Sequence, residues 1–166
     1  MPEPLDNDTD TDSEAEPHVY LLIEWRDGTP LQEPVHAVPL GDRLFRLSYS
    51  PGFVQGIAAG DEFRLLDDNG TFEVLRRAGN LAVQVFANEP VAPLRDTLTQ
   101  RVEQLGGSLD GAIERGLTFT IPYRGSFAAI ESVMDAWVAE HAGWEWYYGN
   151  VYDPITGETP LLWWER

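Results

Sequence analysis

The feature that most limits the possible folds is a change of hydrophobic period after Gly79. The stretches "LAVQVFA", "SLDGAIE", "LTFTIPY" and "WEWYYGNVY" favour strands, and two stretches between them have apolar residues at helical spacing. The resulting order is strand, helix, strand, strand, helix, strand. This order predicts a ferredoxin-like βαββαβ unit. The predicted first helix buries Leu94, Leu98, Val102 and Leu105 and stops at Gly106 or Gly107.

The second predicted helix begins at Ser126, whose hydroxyl is suited to cap it. Its apolar side chains recur at intervals of three or four residues, so they should share one buried stripe. His141 ends this helix, where an imidazolium suits the helix dipole. The buried stripe comprises Phe127, Ile130, Met134 and Trp137.

The chain before Gly79 contains short strands separated by Gly and Asp turns, of which Asn69-Gly70 is the strongest hairpin signal. These strands predict a small β-barrel-like subdomain or strongly curved sheet. The first strand should be central because both of its faces are apolar, with Val19, Leu21, Ile23 and Trp25 on one face. The strands are "HVYLLIEW", "PVHAVPL", "RLFRLSYS", "EFRLLD" and "FEVLRR".

The chain is therefore predicted to be an α+β protein with four parts. Residues 1–17 have low hydrophobicity and seven acids without a base, which predicts a disordered acidic tail. Residues 18–79 form the barrel-like subdomain and residues 80–152 the ferredoxin-like unit. Residues 153–166 are interpreted as a C-terminal hairpin arm.

The charge of the chain is strongly negative, at −17. All 11 basic residues are arginine; outside residues 1–17 there are 21 acids, which leaves a net charge of −10. Such a surface repels nucleic acid and anionic membranes and favours a basic protein partner. The alternative is that the acidity reflects solubility or the salt adaptation or GC-rich genome of the source organism.

Cysteine, long apolar segments and signal-peptide features are all lacking in the sequence. The lack of cysteine excludes disulfides, thiolate nucleophiles and zinc–thiolate sites. Without a membrane span or a signal peptide, we expect a cytoplasmic protein that does not enter membranes.

The stretch "GWEWYYGN" places aromatic side chains on both faces of the last strand. We expect Trp144, Trp146 and Tyr148 to join the core beneath the helices. That core also includes Val83, Val85, Leu109, Ile113, Leu117, Phe119 and Ile121. The other face, which should pack against the N-terminal subdomain or a partner, carries Gln84, Phe86, Thr118, Thr120, Glu145 and Tyr147.

No catalytic or cofactor-binding motif occurs in the sequence, so no catalytic residue, metal ligand or cofactor is assigned. The three histidines, at positions 18, 36 and 141, lack ligand spacing. Asp61 and Glu62 follow a glycine and are interpreted as a turn that enters a strand. Asp67, Asp68 and Asn69 lack the glycine and distal acid of a calcium loop and are interpreted as a hairpin tip.

The stretches "LFRLSYSPGFVQGIAAGDEFRL" and "FEVLRRAGNLAVQV" resemble the pattern of the DUF4265 family of uncharacterised bacterial proteins. The later "QLGG" and "TFTIP" stretches, at 104–107 and 118–122, also fit, and the resemblance spans about residues 18–150. Asn80 departs from the pattern, which commonly has a polar residue and a histidine there. The family implies no activity. The matching positions are Pro51, Phe53, Gly56, Gly60, Asp61, Arg77 and Gly79.

Two hypotheses of function follow. In the first, the chain is a non-enzymatic inhibitor or immunity protein that binds a basic toxin or enzyme through charge and aromatic anchors. In the second, it is a regulatory or small-ligand module that acts as a homodimer. The segment "PLLWWER" is predicted to be an edge strand or loose arm that leaves one of Trp163 and Trp164 partly exposed. The alternative is that it folds over the junction of the two subdomains and buries both rings. The candidate partner-binding residues are Asp67, Asp68, Glu145, Tyr147, Trp163, Trp164 and Glu165.

Overall fold

The structure is a computed structural model that describes residues 18–165. It is an α+β fold with two antiparallel sheets and two α-helices among these residues. The acidic tail predicted for residues 1–17 lies outside the described residues. Over the described range, neither helix has the length and apolar character that crossing a membrane requires.

The first sheet is a meander in which each strand pairs antiparallel with the next one along the chain. Over residues 18–165 its two ends, β1 and β5, do not pair, so this sheet is not a closed barrel. Its strands are β1 (His18–Arg26), β2 (Thr29–Gly41), β3 (Leu44–Leu47), β4 (Glu62–Leu65) and β5 (Phe72–Arg76).

The prediction that β1 is central was wrong, because β1 is an edge strand of this sheet. Its register with β2 shifts between Leu22 and Glu24, which leaves Ile23 as the extra residue of a β-bulge. A one-residue insertion turns every later side chain to the opposite face. Trp25 therefore does not follow Leu21 into the core, and 53 % of its surface is exposed.

The second sheet has the strand order β7-β8-β6-β9, and all neighbouring strands are antiparallel. Both helices predicted from the sequence are present between its strands. The N-cap of the second helix is Phe127, one residue after Ser126, which the sequence predicted for this position. The Ser126 Oγ still accepts a hydrogen bond from Ala128 N at 3.0 Å. The elements are β6 (Asn80–Ala87), α1 (Ala92–Glu103), β7 (Ser108–Ile113), β8 (Gly116–Pro122), α2 (Ala128–Glu140) and β9 (Trp144–Tyr148).

The main core lies between this sheet and the two helices, as the helical spacing predicts. Ile113 was wrongly expected there. A β-bulge at Asp110 reverses the facing of the following residues, and Ile113 is 55 % exposed. The buried core side chains include Leu81, Val83, Val85, Leu98, Val102, Leu117, Phe119, Ile121, Ile130, Met134, Trp137 and Trp144.

The opposite face of the second sheet is covered by the segment that joins β3 to β4. Gln84 is buried in this contact. Its Nε2 donates to the carbonyl oxygens of Pro51 and Val54 at 3.1 and 3.3 Å, and its Oε1 accepts from Gln55 Nε2 at 2.6 Å. Thr118 and Thr120 are buried on the same face. This face therefore packs against the N-terminal half of the chain, one of the two outcomes that the sequence predicts.

The positions that resemble the family pattern hold the β3–β4 segment in place. Asp61 is fully buried and accepts backbone hydrogen bonds from Ala58 and Ala78 at 3.0 and 2.9 Å. Arg77 lies 3.3 Å from the same carboxylate. Asn80 Nδ2 donates to the carbonyl of Ala59 at 2.8 Å, so this residue also fixes the segment.

The C-terminal segment differs from the predicted extended arm. Tyr152 and Pro160 form an isolated β-bridge, and a short 3₁₀ helix follows at Trp163–Glu165. Adjacent side chains in a 3₁₀ helix diverge less than in an extended strand, and the two indoles lie with their ring centres 5.4 Å apart. Trp163 is buried, and its Nε1 donates to Asn150 O at 2.8 Å. Trp164 is half-buried, so one of the two indoles remains partly exposed as predicted, although the segment packs against the main core.

Truncation of the chain after Pro160 should lower the free energy of unfolding. We expect a loss of about 2 kcal/mol, the scale for returning one large apolar side chain to water. Chemical denaturation measures this loss. A truncated chain that unfolds at the same denaturant concentration as the full chain would show that Trp163 contributes little to the core.

Candidate functional site

An open cleft of about 710 Å³ runs along β9 at the margin of the second sheet. We call it the β9-edge cleft. Aromatic rings of β6, β9, the β3–β4 segment and the C-terminal segment line it, together with two carboxylates of α2 and that of Asp153. Its lining residues are Phe53, Gln55, Gln84, Phe86, Glu131, Asp135, Trp146, Tyr147, Tyr148, Tyr152, Asp153, Pro154 and Gly157.

On the helix side of β9, two aromatic side chains donate hydrogen bonds to acids of α2. Trp146 Nε1 donates to Asp135 Oδ1 at 2.9 Å, and the Tyr148 hydroxyl donates to Glu131 Oε2 at 3.2 Å. Burial and the nearby negative charge of Glu131 raise the pKa of Tyr148, so its hydroxyl stays protonated. Trp146 and Tyr148 are half-buried instead of fully enclosed, because no strand within residues 18–165 pairs with the outer side of β9.

On the other side of β9, three rings form a continuous surface, in which Phe53 and Tyr147 are exposed and Phe86 is half-buried. The ring centres of Phe53 and Phe86 are 5.8 Å apart, and those of Phe86 and Tyr147 are 6.3 Å apart. The Tyr147 hydroxyl donates to Glu145 Oε1 at 2.6 Å, and this hydrogen bond raises the pKa of Tyr147. This side therefore offers apolar contact next to a carboxylate.

The lining of the cleft contains acids but no arginine, lysine or histidine. Each carboxylate can accept several hydrogen bonds, so the single bonds to Trp146 and Tyr148 leave Asp135 and Glu131 able to bind another donor. Aromatic faces also attract cations. The cleft is thus chemically suited to arginine or lysine side chains. Among residues 18–165, no group of three or more His, Asp or Glu side chains is arranged to hold a metal ion.

The structure distributes the seven candidate partner-binding residues over three places. Tyr147 lines the β9-edge cleft, and Glu145, which does not line it, accepts the hydrogen bond of the Tyr147 hydroxyl. Asp67 and Asp68 lie in the β4–β5 turn, where Arg43 donates to the Asp67 carbonyl oxygen at 2.8 Å and lies 3.4 Å from the Asp68 carboxylate. The remaining three, Trp163, Trp164 and Glu165, lie in the C-terminal 3₁₀ helix.

The C-terminal indoles take part in packing around Phe127. The Trp164 ring contacts Phe127 edge to face at 5.1 Å, and Trp163 contacts Tyr123 at 6.2 Å. Glu165 is exposed beside them. These residues are separate from the β9-edge cleft, which none of them lines.

Sequence reasoning did not find Glu131 and Asp135, the two acids of α2 that line the cleft. A signal was present, because the residues are four apart and each follows a member of the buried stripe, Ile130 or Met134. Such spacing places two carboxylates on one helix face, at the border of the core. This spacing alone does not show that the two carboxylates lie beside β9.

Comparison with known proteins gives a family and a fold. The model of the family described as "Domain of unknown function (DUF4265)" matches residues 33–146. The chain is also similar to the structure titled "Novel crystal structure of a hypothetical protein from Neisseria gonorrhoeae", with a TM-score of 0.63 and 13 % identity. The match covers 81 % of this chain and 94 % of that one, and at this identity it shows a shared fold. No curated protein matches the chain.

Proposed function

The chain belongs to the DUF4265 family, and we propose that it is a non-enzymatic binding protein that inhibits a basic protein, in the manner of an immunity protein that neutralises a toxin. The observation that carries this proposal is the β9-edge cleft, in which acids and aromatic rings meet without a basic side chain. Aromatic anchors and desolvated charged pairs dominate the affinity of protein interfaces. The family match confirms the resemblance read from the sequence.

The charge of the whole chain supports the same class of partner. A net charge of −17 produces a long-range field that speeds the approach of a basic protein and repels acidic ones. The field guides the encounter, whereas the cleft supplies contacts at short range. This division suits an inhibitor that must capture its target quickly.

The proposal can be tested on the proteins encoded beside the gene for this chain. Each is purified and its binding to the full chain is measured by calorimetry and stopped-flow fluorescence. We expect a basic neighbour to bind, with an association rate that falls at least about tenfold between about 50 and 500 mM salt because screening shortens the range of the field. Co-expression of this chain should relieve any toxicity of that neighbour.

A matched pair of variants tests the role of the cleft in this binding. Glu131→Gln with Asp135→Asn removes two charges from the cleft, and Asp96→Asn with Glu103→Gln removes two exposed charges from α1. The first pair should weaken binding by about tenfold or more, and the second by less than about twofold. If no basic neighbour binds, the proposed inhibition of a basic partner is wrong.

A regulatory or small-ligand module that acts as a homodimer is the second candidate. A smaller groove between the two sheets, of about 230 Å³, favours it. Asp110 lines this groove, where burial raises its pKa although its carboxylate accepts hydrogen bonds from Ser50 N and Thr120 Oγ1. The volume is below the roughly 300–1,000 Å³ of ordinary ligand sites, so this candidate ranks second. A homodimer whose stability does not change with salt concentration would favour this second candidate.

We also infer that residues 80–152 form a ferredoxin-like unit and that the first sheet is barrel-like. The strand order β7-β8-β6-β9 and the helix after each of β6 and β8 support the first inference. A hydrogen bond of 3.0 Å from Leu22 N to Gly70 O supports the second, because it brings the β4–β5 turn against β1.

A further inference from the structure

The backbone of β9 has one partner strand among the described residues, β6, and its other side is the open edge of the sheet. Two flanking hydrogen bonds determine which groups face that edge. Gly149 N donates to Ala82 O at 2.7 Å, and Asn88 N donates to Gly143 O at 3.1 Å. Gly149 and Gly143 are therefore members of hydrogen-bonded pairs with β6.

Hydrogen-bonded and non-hydrogen-bonded pairs alternate along antiparallel strands. The residues of β9 that bond to β6 are thus Glu145 and Tyr147, which lie at even spacing between the two glycines. Trp146 and Tyr148 fall between them, so their N–H and C=O groups point away from β6. These groups are directed toward the open side of β9, along which the β9-edge cleft runs.

We propose that an extended segment of the basic partner pairs antiparallel with the open edge of β9 and adds a fifth strand to the second sheet. This proposal rests on the proposed function, because it specifies how the β9-edge cleft engages that partner. Strand addition combines main-chain hydrogen bonds with pockets for alternate side chains. Both are present here, since the outward backbone groups of Trp146 and Tyr148 are flanked by the acids and rings of the cleft.

The two sides of the cleft define the sequence that the segment should carry. Residues directly opposite Trp146 and Tyr148 project to the helix side, where Asp135 and Glu131 lie, so arginine or lysine fits both places. The residue between them projects toward Phe86 and Tyr147, so an apolar side chain fits there. The preferred segment is basic, apolar, basic.

Charge argues against the two occupants that this chain itself could supply. The first 17 residues carry seven acids and no base, so they are repelled by the carboxylates of the cleft. A second copy would bring its own Glu131, Asp135 and Glu145 to the same interface. Like charges at close range oppose both arrangements.

Backbone-methylated peptides test the proposed geometry. The probe is a capped peptide of about seven residues with arginine, valine, arginine at its centre and neutral polar residues on both sides. In an antiparallel addition the N–H groups of both arginines point to β9 and that of valine points away. We expect methylation of the arginine amides to reduce affinity for the full chain at least about tenfold, and methylation of the valine amide to change it less than about twofold.

Amide hydrogen exchange supplies a second readout on the full chain with the unmethylated peptide bound. The amides of Trp146 and Tyr148 should gain protection, and those of Glu145 and Tyr147 should change little because they already bond to β6. Glu131→Gln with Asp135→Asn should weaken peptide binding about tenfold, whereas Asp96→Asn with Glu103→Gln should not.

The outcomes separate this inference from the proposed function. If a basic neighbour binds but the amides of Trp146 and Tyr148 gain no protection in that complex, strand addition is wrong and the inhibitor function stands. Equal effects of arginine and valine methylation also overturn strand addition, as does a lack of peptide binding at millimolar concentration. Protection of these amides in a peptide-free dimer, detected by sedimentation, would assign the edge to a second copy instead.

Discussion

We expect Asp61→Ala to lower the free energy of unfolding by about 3–5 kcal/mol, the scale for removing the buried member of a hydrogen-bonded ion pair. The substitution leaves the backbone N–H groups of Ala58 and Ala78 without their acceptor and Arg77 without its carboxylate. Burial raises the pKa of Asp61, and these same three donors oppose that rise by stabilising the charge. Chemical denaturation of the purified variant measures the loss.

Asp68→Ala is the matched control, because the Asp68 side chain is 98 % exposed. Its unfolding transition should coincide with that of the unmodified chain, since exposed ion pairs contribute little to stability. Should Asp61→Ala unfold together with Asp68→Ala, the β3–β4 segment is held by other contacts, and the role assigned here to Asp61 is wrong.

Trp137→Ala should also cost about 3–5 kcal/mol of unfolding free energy, the range for removing a large aromatic side chain from a core. The indole is fully buried between the sheet and the helices. It stacks on His141 with ring centres 3.8 Å apart, meets Trp144 edge to face at 5.5 Å, and has the Arg101 guanidinium 5.0 Å from its centre. Thermal and denaturant unfolding monitored by circular dichroism report the change.

Two controls accompany this variant. Trp25→Ala removes the same side chain from an exposed position and should leave stability nearly unchanged. Trp137→Phe keeps an aromatic ring and removes an indole N–H that has no hydrogen-bond partner among the described groups, so it should cost much less than alanine. Equal losses for Trp137→Ala and Trp25→Ala would contradict the placement of the core.

The secondary structure was predictable because its determinants are local. The stripe of Ile130, Met134 and Trp137 is buried in α2, and β6 and β8 are buried along the predicted stretches. The β-bulges at Ile23 and Asp110 were not predictable, because an extra residue fits a strand pattern until its partner strand is known. Those bulges decided that Trp25 and Ile113 are exposed.

The candidate site was predictable only in fragments. Tyr147 and its hydrogen-bond acceptor Glu145 were identified as site residues from the sequence. Phe53, Glu131 and Asp135 were not, because they come from distant segments that meet only in the fold. The adjacent indoles at Trp163 and Trp164 were assigned to an extended arm, but a 3₁₀ turn places them on the same core. Backbone conformation, not residue identity, set their direction.

By itself, the sequence determined the helices, most strands, the family and the negative charge, since each depends on residue type and short-range spacing. The tertiary structure alone decided that β9 is an edge strand with acids of α2 beside it. The physical reason is that the two-residue period of a strand shows which side chains share a face, but not which other strands form hydrogen bonds with its backbone. Pairing with β6 on one side leaves Trp146 and Tyr148 without a second partner strand among residues 18–165, and only the fold reveals that side.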